Sequence, residues 1–350
     1  MKIMSGKKVG VIGAGSFGTT VANLIAGNSD VILYARNRDV VDKINAERAN
    51  NGYSIKSNIE ATHSLEKLAG ECEIIFPVVS SSGFREMMRN LSEFVHPYHM
   101  LIHGTKGLDV SLPDGKSIDD PYVHLSRSNV KTMSEVIRDE SSVVRVGCLA
   151  GPNLAREIAD EQPAATVVAS AFDTVISEGQ RLLRNDRFQV YGNKDLIGIE
   201  LTGVLKNIIA IAAGILSGLG YGDNTRSLLI SRGMVEMIHL GKALGGNMEA
   251  FIGLAGIGDL IATCSSKHSR NYTVGFRLAQ GEPIDQIIAS MDEVAEGVNT
   301  AHIVKRFAEH YKFRAPITEI VHKIIFEGLS VKDAQNYLMK IPLNVDINFM

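Results

Sequence analysis

The sequence predicts an α/β domain built on a mainly parallel, doubly wound sheet, followed by a second, mainly α-helical domain. Three observations carry this expectation. A β-turn-α-β unit opens the chain within about 30 residues. Apolar runs of strand length then alternate with runs of helix length as far as Asp195. Beyond that residue, helix-length apolar segments dominate and few strand-like ones remain.

In chain order, Lys8 to Ile12 is a short apolar run that fits a strand. Gly13-Ala14-Gly15-Ser16-Phe17-Gly18 is a glycine-rich turn, and Thr19 to Ala26 reads as helix, with apolar and small residues at helical spacing. Gly27-Asn28-Ser29 closes it, and Asp30 to Tyr34 is a second strand. Glu73 to Val79, Met100 to His103, Val143 to Leu149, Ala165 to Ala169 and Phe188 to Tyr191 read as further strands. Gly83 to Phe94 and Val175 to Leu183 read as helices. The segment Asp109 to Glu140 is polar, carries two prolines and is expected to contain an exposed loop. In the second part the predicted helices include Leu196 to Leu219, Leu228 to Leu244, Val298 to Tyr311 and Ile317 to Phe326. The expected division is residues 1–195 and 196–350.

A chain of 350 residues exceeds one ordinary core. With 45% hydrophobic and 21% charged residues it has globular composition. A net charge of -3 offers no basic surface for nucleic acid or anionic membrane. Cys72, Cys148 and Cys264 are odd in number and far apart, which fits reduced thiols in a cytoplasmic protein better than disulfides. The start MKIMSGKKVGVIGAG is basic, but its apolar stretch is short, broken by glycines and followed by no small-residue cleavage site. The most apolar run, Ile208 to Gly220, is shorter than the roughly 18 residues of a membrane span and predicts a buried helix. The ten histidines do not cluster at ligand spacing with acids or cysteines, so no metal is expected.

The glycine-rich turn sits between a strand and a helix, with a second strand following, which makes it a Rossmann-type dinucleotide turn. Gly13 permits the tight turn, Gly15 lets backbone approach a pyrophosphate, and Gly18 lets the helix pack closely on the sheet. The helix N-terminus offers free N–H groups to phosphate. Residues 1–195 are therefore the expected dinucleotide-binding domain. Where an acid would read the NAD ribose, the chain has Arg36 and Arg38. A guanidinium there suits the 2′-phosphate of NADP, while the alternative is a pair of solvated surface arginines. The cofactor expectation is NADP(H) and/or NAD(H).

Four polar features stand out elsewhere. Lys206 lies in one of the most apolar helices, with Gly203, Ala210, Ala213 and Gly214 on its face. A lysine there is costly unless paired or working, and burial can turn it into a usable acid or base; the alternative is a snorkelling surface lysine. Asp259 follows a glycine-rich turn and opens an apolar helical run, so on spacing alone a helix N-cap is the better reading. An Asp near Lys206 would instead fix the ammonium. Ser265 to Asn271 precedes another helical stretch, and its arginine at a helix start suits phosphate as well as it suits an ordinary capped loop. Lys106 follows a strand end, where open α/β sheets bind ligands, or is a turn lysine.

Together GAGSFGT, TKGL, GPNLARE, the run Glu200 to Gly214, GLGYGDNTRSLLISRG, GLAGIGDLIATC, SSKHSRN and VAEGVNT resemble the bacterial-type NAD(P)-dependent glycerol-3-phosphate dehydrogenases along almost the whole chain. The resemblance implies a 6-phosphogluconate dehydrogenase-like fold, in which residues 196–350 bind the substrate. It implies reduction of dihydroxyacetone phosphate to sn-glycerol 3-phosphate by hydride transfer, feeding glycerophospholipid synthesis. By it, Lys206 is the catalytic acid/base. Lys106, Gly151, Asn153, Lys206, Asp259, Ser269, Arg270 and Asn271 contact substrate. Gly13, Gly15, Ser16, Phe17, Gly18, Arg36, Tyr53, Lys106, Ala155, Arg270, Val294 and Glu296 contact cofactor. A homodimer is compatible with it. Three departures stand out: Asn153-Leu154 replaces Ser-Phe after Gly-Pro, the segment after Tyr53 is short and lacks Leu-Pro-Gly, and the stretch from Lys106 to Gly151 is long. Two rivals remain. A 6-phosphogluconate or β-hydroxyacid type dehydrogenase shares the architecture but not SSKHSRN and GLAGIGDLIATC. A non-catalytic dinucleotide sensor would need the turn but not Lys106, Lys206 and Asp259 together.

Overall fold

The computed structural model describes residues 7–113, 115–120, 122–291 and 293–334. The first six residues, on which part of the leader argument rests, lie outside them. Two compact units form: residues 1–106 with 133–196, and residues 107–132 with 197–350.

The first unit is the α/β one. Its strands are β1 (Lys8–Ile12), β2 (Val31–Tyr34), the short hairpin β3 (Ala49–Asn50) and β4 (Tyr53–Ser54), β5 (Ile59–Thr62), β6 (Cys72–Pro77) and β7 (Met100–His103). The helical unit then contributes the ribbon β8 (Asp109–Val110) with β9 (Val130–Lys131), after which come β10 (Arg145–Ala150), β11 (Ala164–Ala169) and β12 (Phe188–Asn193). Eight strands make one sheet in the order β12-β11-β10-β7-β6-β1-β2-β5. Every pairing in it is parallel except β10 with β11.

The strands read as continuous apolar runs because both faces of the sheet are covered. Alternate residues divide between two cores. Val9, Val11, Val31, Leu33, Ile74, Phe76, Met100 and Ile102 join one, and Ile12, Ile32, Ile75 and Leu101 the other. Helices α1 (Ser16–Ile25) and α2 (Arg38–Glu47) cover the first face, and α3 (Leu65–Glu71), α4 (Phe84–Ser92) and α5 (Met133–Glu140) the second. Helices α6 (Ala155–Ala159) and α7 (Asp173–Leu183) complete the first face.

The second unit holds α8 (Leu196–Gly218), α9 (Asp223–Ala243), α10 (Met248–Ile252), a π-helical turn (Leu254–Gly258), α11 (Asp259–Ser265), α12 (Arg270–Ala279), α13 (Ile284–Ala289), α14 (Glu296–Tyr311) and α15 (Pro316–Phe326). At 23 residues α8 is long and apolar enough to cross a membrane, unlike the shorter run read from sequence, but 94% of its apolar window is buried in the protein. Small residues let α12 lie almost backbone to backbone on it. A Cβ on Gly214 would stand 2.0 Å from Tyr272 O, and one on Gly275 1.9 Å from Ile211 O.

The 109–140 segment does contain an exposed loop, with residues 115–117 and 119 exposed, but it is not loop throughout. Residues 133–140 are α5, whose Val136 and Ile137 are buried in the α/β unit. Residues 107–132, which a division at 195 assigns to the first domain, pack in the helical unit. Polarity misleads there because the segment is held by backbone. Arg306 on α14 donates to Asp120 O (2.7 Å) and Val123 O (2.9 Å), and Arg127 donates to Leu244 O (2.6 Å). Leu125 and Val130 are buried beneath it.

Candidate active site

The glycine-rich turn joins β1 to α1. Gly13 has φ +113°, in the region that favours glycine, and a Cβ there would stand 2.3 Å from Val78 O. A Cβ on Gly18 would stand 1.9 Å from Gly13 O, so Gly18 keeps the turn itself tight as well as the helix close. Gly15 is exposed at the N-cap of α1, supplies no side-chain cap, and no acid follows in the first turn. That leaves N–H groups and the positive helix end for an anion, the donor set a dinucleotide pyrophosphate requires. Ser16 and Phe17 lie half-buried in this first turn. Arg36 and Arg38 are exposed just past β2.

Sequence reasoning missed the latch on this turn. Asn51 (φ +49°) and Gly52 (φ +79°) form a two-residue hairpin turn between β3 and β4. Asn50 Nδ2 donates to Ala14 O and Thr19 Oγ1, both at 2.8 Å, and Asn51 Nδ2 donates to Ala14 O at 2.9 Å. Tyr53 pairs with Asn50 across the hairpin and is thereby held near the turn. The Asn-Gly pair was the available signal.

Lys106 lies beyond β7 and donates from Nζ to Gly151 O at 3.0 Å. Gly151 has φ +141° and directly follows β10. Asn153 Nδ2 donates to Thr166 Oγ1 (3.0 Å), which donates to Ala150 O (3.0 Å). The amide at 153 is thus tied to the sheet edge. Ala155 opens α6, and Thr20 on α1 donates to its carbonyl at 3.4 Å.

In the helical unit Lys206 is 4% exposed and does not snorkel. Its Nζ stands 3.1 Å from Asp259 Oδ1 and donates to Thr263 Oγ1 at 2.5 Å. Asp259 is 2% exposed. The N-cap reading of Asp259 is corrected: Gly258 holds that position, because the π-helical turn already carries helical backbone up to the aspartate and frees its side chain to face α8. Thr263, which sequence reasoning missed, donates to Asp259 O at 2.6 Å and lies 3.1 Å from Asp259 Oδ1. Its spacing of four from Asp259 on an apolar helix was the only hint. A buried ammonium and carboxylate here neutralise each other, and the Thr263 hydroxyl accepts a further hydrogen bond from the lysine.

A second group gathers at the starts of α12 and α14. Ser269 is the N-cap of α12 and accepts from Tyr272 N at 3.3 Å. Arg270 Nη1 donates to Val294 O at 2.9 Å and lies 3.3 Å from Glu293 Oε2, a carboxylate the sequence reading did not single out. Asn271 Oδ1 accepts from Gly297 N at 2.9 Å, beside Glu296, the first residue of α14. Gly297 has no room for a side chain, since its Cβ would stand 2.8 Å from Asn207 O on α8. Asn271 is thereby carried beside the helix turn that bears Lys206. One unit thus carries a tight glycine-rich turn opening a helix, and the other a buried ammonium near an arginine-bearing helix start.

Residues 8–175 match the family description "NAD-dependent glycerol-3-phosphate dehydrogenase N-terminus", and residues 195–336 the corresponding C-terminus. The chain is 38% identical over 342 residues to the glycerol-3-phosphate dehydrogenase [NAD(P)+] of Staphylococcus aureus, covering 95% of this chain and 98% of that one. The crystal structure of glycerol-3-phosphate dehydrogenase from Coxiella burnetii superposes with a TM-score of 0.86 at 32% identity, covering 96% of this chain and 99% of that chain. A ketopantoate reductase from Ralstonia eutropha shares the fold alone, at a TM-score of 0.56 and 13% identity, over 94% and 99% of the two chains.

Proposed function

The chain belongs to the NAD-dependent glycerol-3-phosphate dehydrogenase family, and from that premise we propose that it reduces dihydroxyacetone phosphate to sn-glycerol 3-phosphate for glycerophospholipid synthesis. The observation that carries the reading is the buried Lys206–Asp259–Thr263 triad in a chain that also has the dinucleotide turn.

The nicotinamide cofactor, when bound, supplies the hydride that reduces the ketone carbon. The chain's residues do the rest. Gly13, Gly15 and Gly18 shape the turn that takes the pyrophosphate, with Ser16 and Phe17 in its first helical turn. Arg36 meets the adenosine end, and Tyr53, Ala155, Val294 and Glu296 complete the cofactor contacts. Lys206 gives its proton to the oxygen that gains charge. Asp259 and Thr263 hold that ammonium in place. Lys106, tied to Gly151, adds positive charge toward the developing oxyanion. Arg270 and Asn271, at the helix start that Ser269 caps, bind the phosphate, which orients the carbonyl at a distance from the chemistry. Asn153 offers an amide to a substrate hydroxyl.

The test is oxidation of NADPH and of NADH by the purified protein with dihydroxyacetone phosphate. We expect substrate-dependent turnover, abolished in Lys206→Ala while cofactor binding persists. Near-wild-type turnover of that variant would remove Lys206 from its role. The reading places the enzyme in the cytoplasm, in keeping with three buried cysteines that form no disulfide among the described residues. It takes the enzyme as a homodimer, which sedimentation of the full chain tests.

A further inference from the structure

Away from these groups, four titratable side chains from three segments of the helical unit form one chain of contacts. His302 on α14 and His322 on α15 have nearly parallel rings, 10° apart, with Nδ1 of the first 3.1 Å from Nε2 of the second. The far nitrogen of His322, Nδ1, lies 3.1 Å from Glu327 Oε1 just past α15. The far nitrogen of His302, Nε2, lies 2.9 Å from Asp119 Oδ1, an ion-pair contact not aligned as a hydrogen bond. Phe326 shields both rings, with centroids 5.0 and 4.8 Å away. Asp119 belongs to the 107–132 segment, so the chain runs from that segment through α14 to the end of α15.

Counting protons defines its states. Two neutral imidazoles carry two N–H groups for three gaps, so one gap holds no proton: either a nitrogen faces a carboxylate oxygen, or the two nitrogens face each other. One added proton fills all three gaps and leaves a single positive charge between two carboxylates. A second added proton sets N–H against N–H at the central 3.1 Å gap and must break it.

We propose that Asp119, His302, His322 and Glu327 form a one-proton clasp that fastens the 107–132 segment to α14 and α15, and that uptake of a second proton opens it.

The surroundings agree with the direction. Lys305 on α14 lies 3.8 Å from Glu327 Oε1 and 2.9 Å from Glu309, while Lys323 on α15 pairs with Glu319 at 2.6 Å. Arg306 donates to Asp120 O, adding another cation on the same face. Burial first, then the charges of Lys305 and His302, hold His322 below the ordinary histidine value, against the pull of Glu327. A histidine depressed in the folded state contributes stability that is complete above its unfolded value of about 6.5 and is lost as pH falls through the folded value. Acid is therefore the opening direction. A second histidine pair, His124 on the segment with His310 on α14, has ring centroids 5.6 Å apart and needs its own control.

The experiment is amide hydrogen exchange of the full-length protein at about pH 7.5 and about pH 5.5, either side of the ordinary histidine value. Rates are corrected for intrinsic exchange, and peptides spanning 115–131 are read. Wild type should lose protection there several-fold on acidification. His322→Gln keeps a donor toward His302 but cannot take the second proton, so it should hold its protection at both values. His124→Gln should respond like wild type. Equal acid response in wild type and His322→Gln, no response in wild type, or loss of the response in His124→Gln alone would each overturn the clasp. Should His322→Gln not fold, imidazole nitrogen shifts of the wild type decide. Two well-separated proton steps for the pair are expected, and two ordinary, independent histidine titrations would overturn the proposal.

Discussion

Lys206 and Asp259 are each almost wholly buried, so each makes the other tolerable. Asp259→Asn keeps the shape and removes the charge, leaving an uncompensated ammonium in the interior. It should cost about 3 kcal/mol of stability, because breaking a buried pair from one side exposes the desolvation of the other. Urea unfolding would show this as a lower midpoint at unchanged slope. Adding Lys206→Met to Asp259→Asn should recover most of the lost stability and none of the turnover. A double variant no more stable than the single would mean that the pair is not what holds α11 on α8. Lys206 was legible in the sequence because a lysine among small residues on an apolar helix violates a strong rule. Its partner Asp259 was singled out too, but spacing alone favoured a helix N-cap, because the π-helical turn that moves the N-cap to Gly258 has no simple sequence signature. The cysteines give a separate test at this scale. Burial pushes the Cys72 and Cys264 thiols up to about 12. Neither should alkylate measurably in the native protein near pH 8, whereas all three should react once it is unfolded. Rapid native modification of either would contradict its burial.

The start of α15 is completed by another helix. Glu236 on α9 accepts from Ile317 N (2.8 Å), Thr318 N (2.9 Å) and Thr318 Oγ1 (2.6 Å), doing for α15 what an N-cap residue ordinarily does. Glu236→Ala would strand three buried donors and should cost about 2–4 kcal/mol. Burial, partly offset by these donors, raises the Glu236 carboxyl. A carboxyl raised on folding contributes stability that is present below its unfolded value of about 4.3 and lost as pH rises through the folded one. The stability difference between wild type and Glu236→Gln should therefore shift against wild type as pH climbs from about 4 toward neutrality. A difference flat in pH would show the carboxyl to be unshifted. Most elements of the sheet were legible, since parallel strands buried on both faces read as unbroken apolar runs. The strand Ile59–Thr62 was not: it is four residues long at the sheet edge and contains Glu60. Nor were α2, α3, α5 and α6, whose sequences are too short or too polar to show a clear helical period.

The chain passes from the α/β unit into the helical one and back before it leaves for good, since residues 107–132 lie between the two parts of the first unit. A division of the sequence at a single point could not express this, because a break in apolar periodicity marks where elements change and not which core a polar segment joins. The consequence is testable by dissection. A fragment ending at residue 196 keeps residues 107–132 but loses α14 and the rest of their packing. It would expose Leu108, Leu125 and Val130, each at most 3% exposed in the whole protein. Each such side chain is worth about 1.5–3 kcal/mol of burial, so three together would leave a sticky loop on an otherwise covered sheet. A second fragment joining Lys106 to Met133 through a short glycine-serine linker removes that surface while keeping α5, which covers the sheet. It should remain monomeric, unfold in one cooperative step and bind NADP(H) or NAD(H) more strongly than it binds any keto-phosphate. The uncut fragment should self-associate under the same conditions. If the two behaved alike, or the linked one failed to fold where the uncut one succeeded, residues 107–132 would belong energetically to the α/β unit in spite of their contacts.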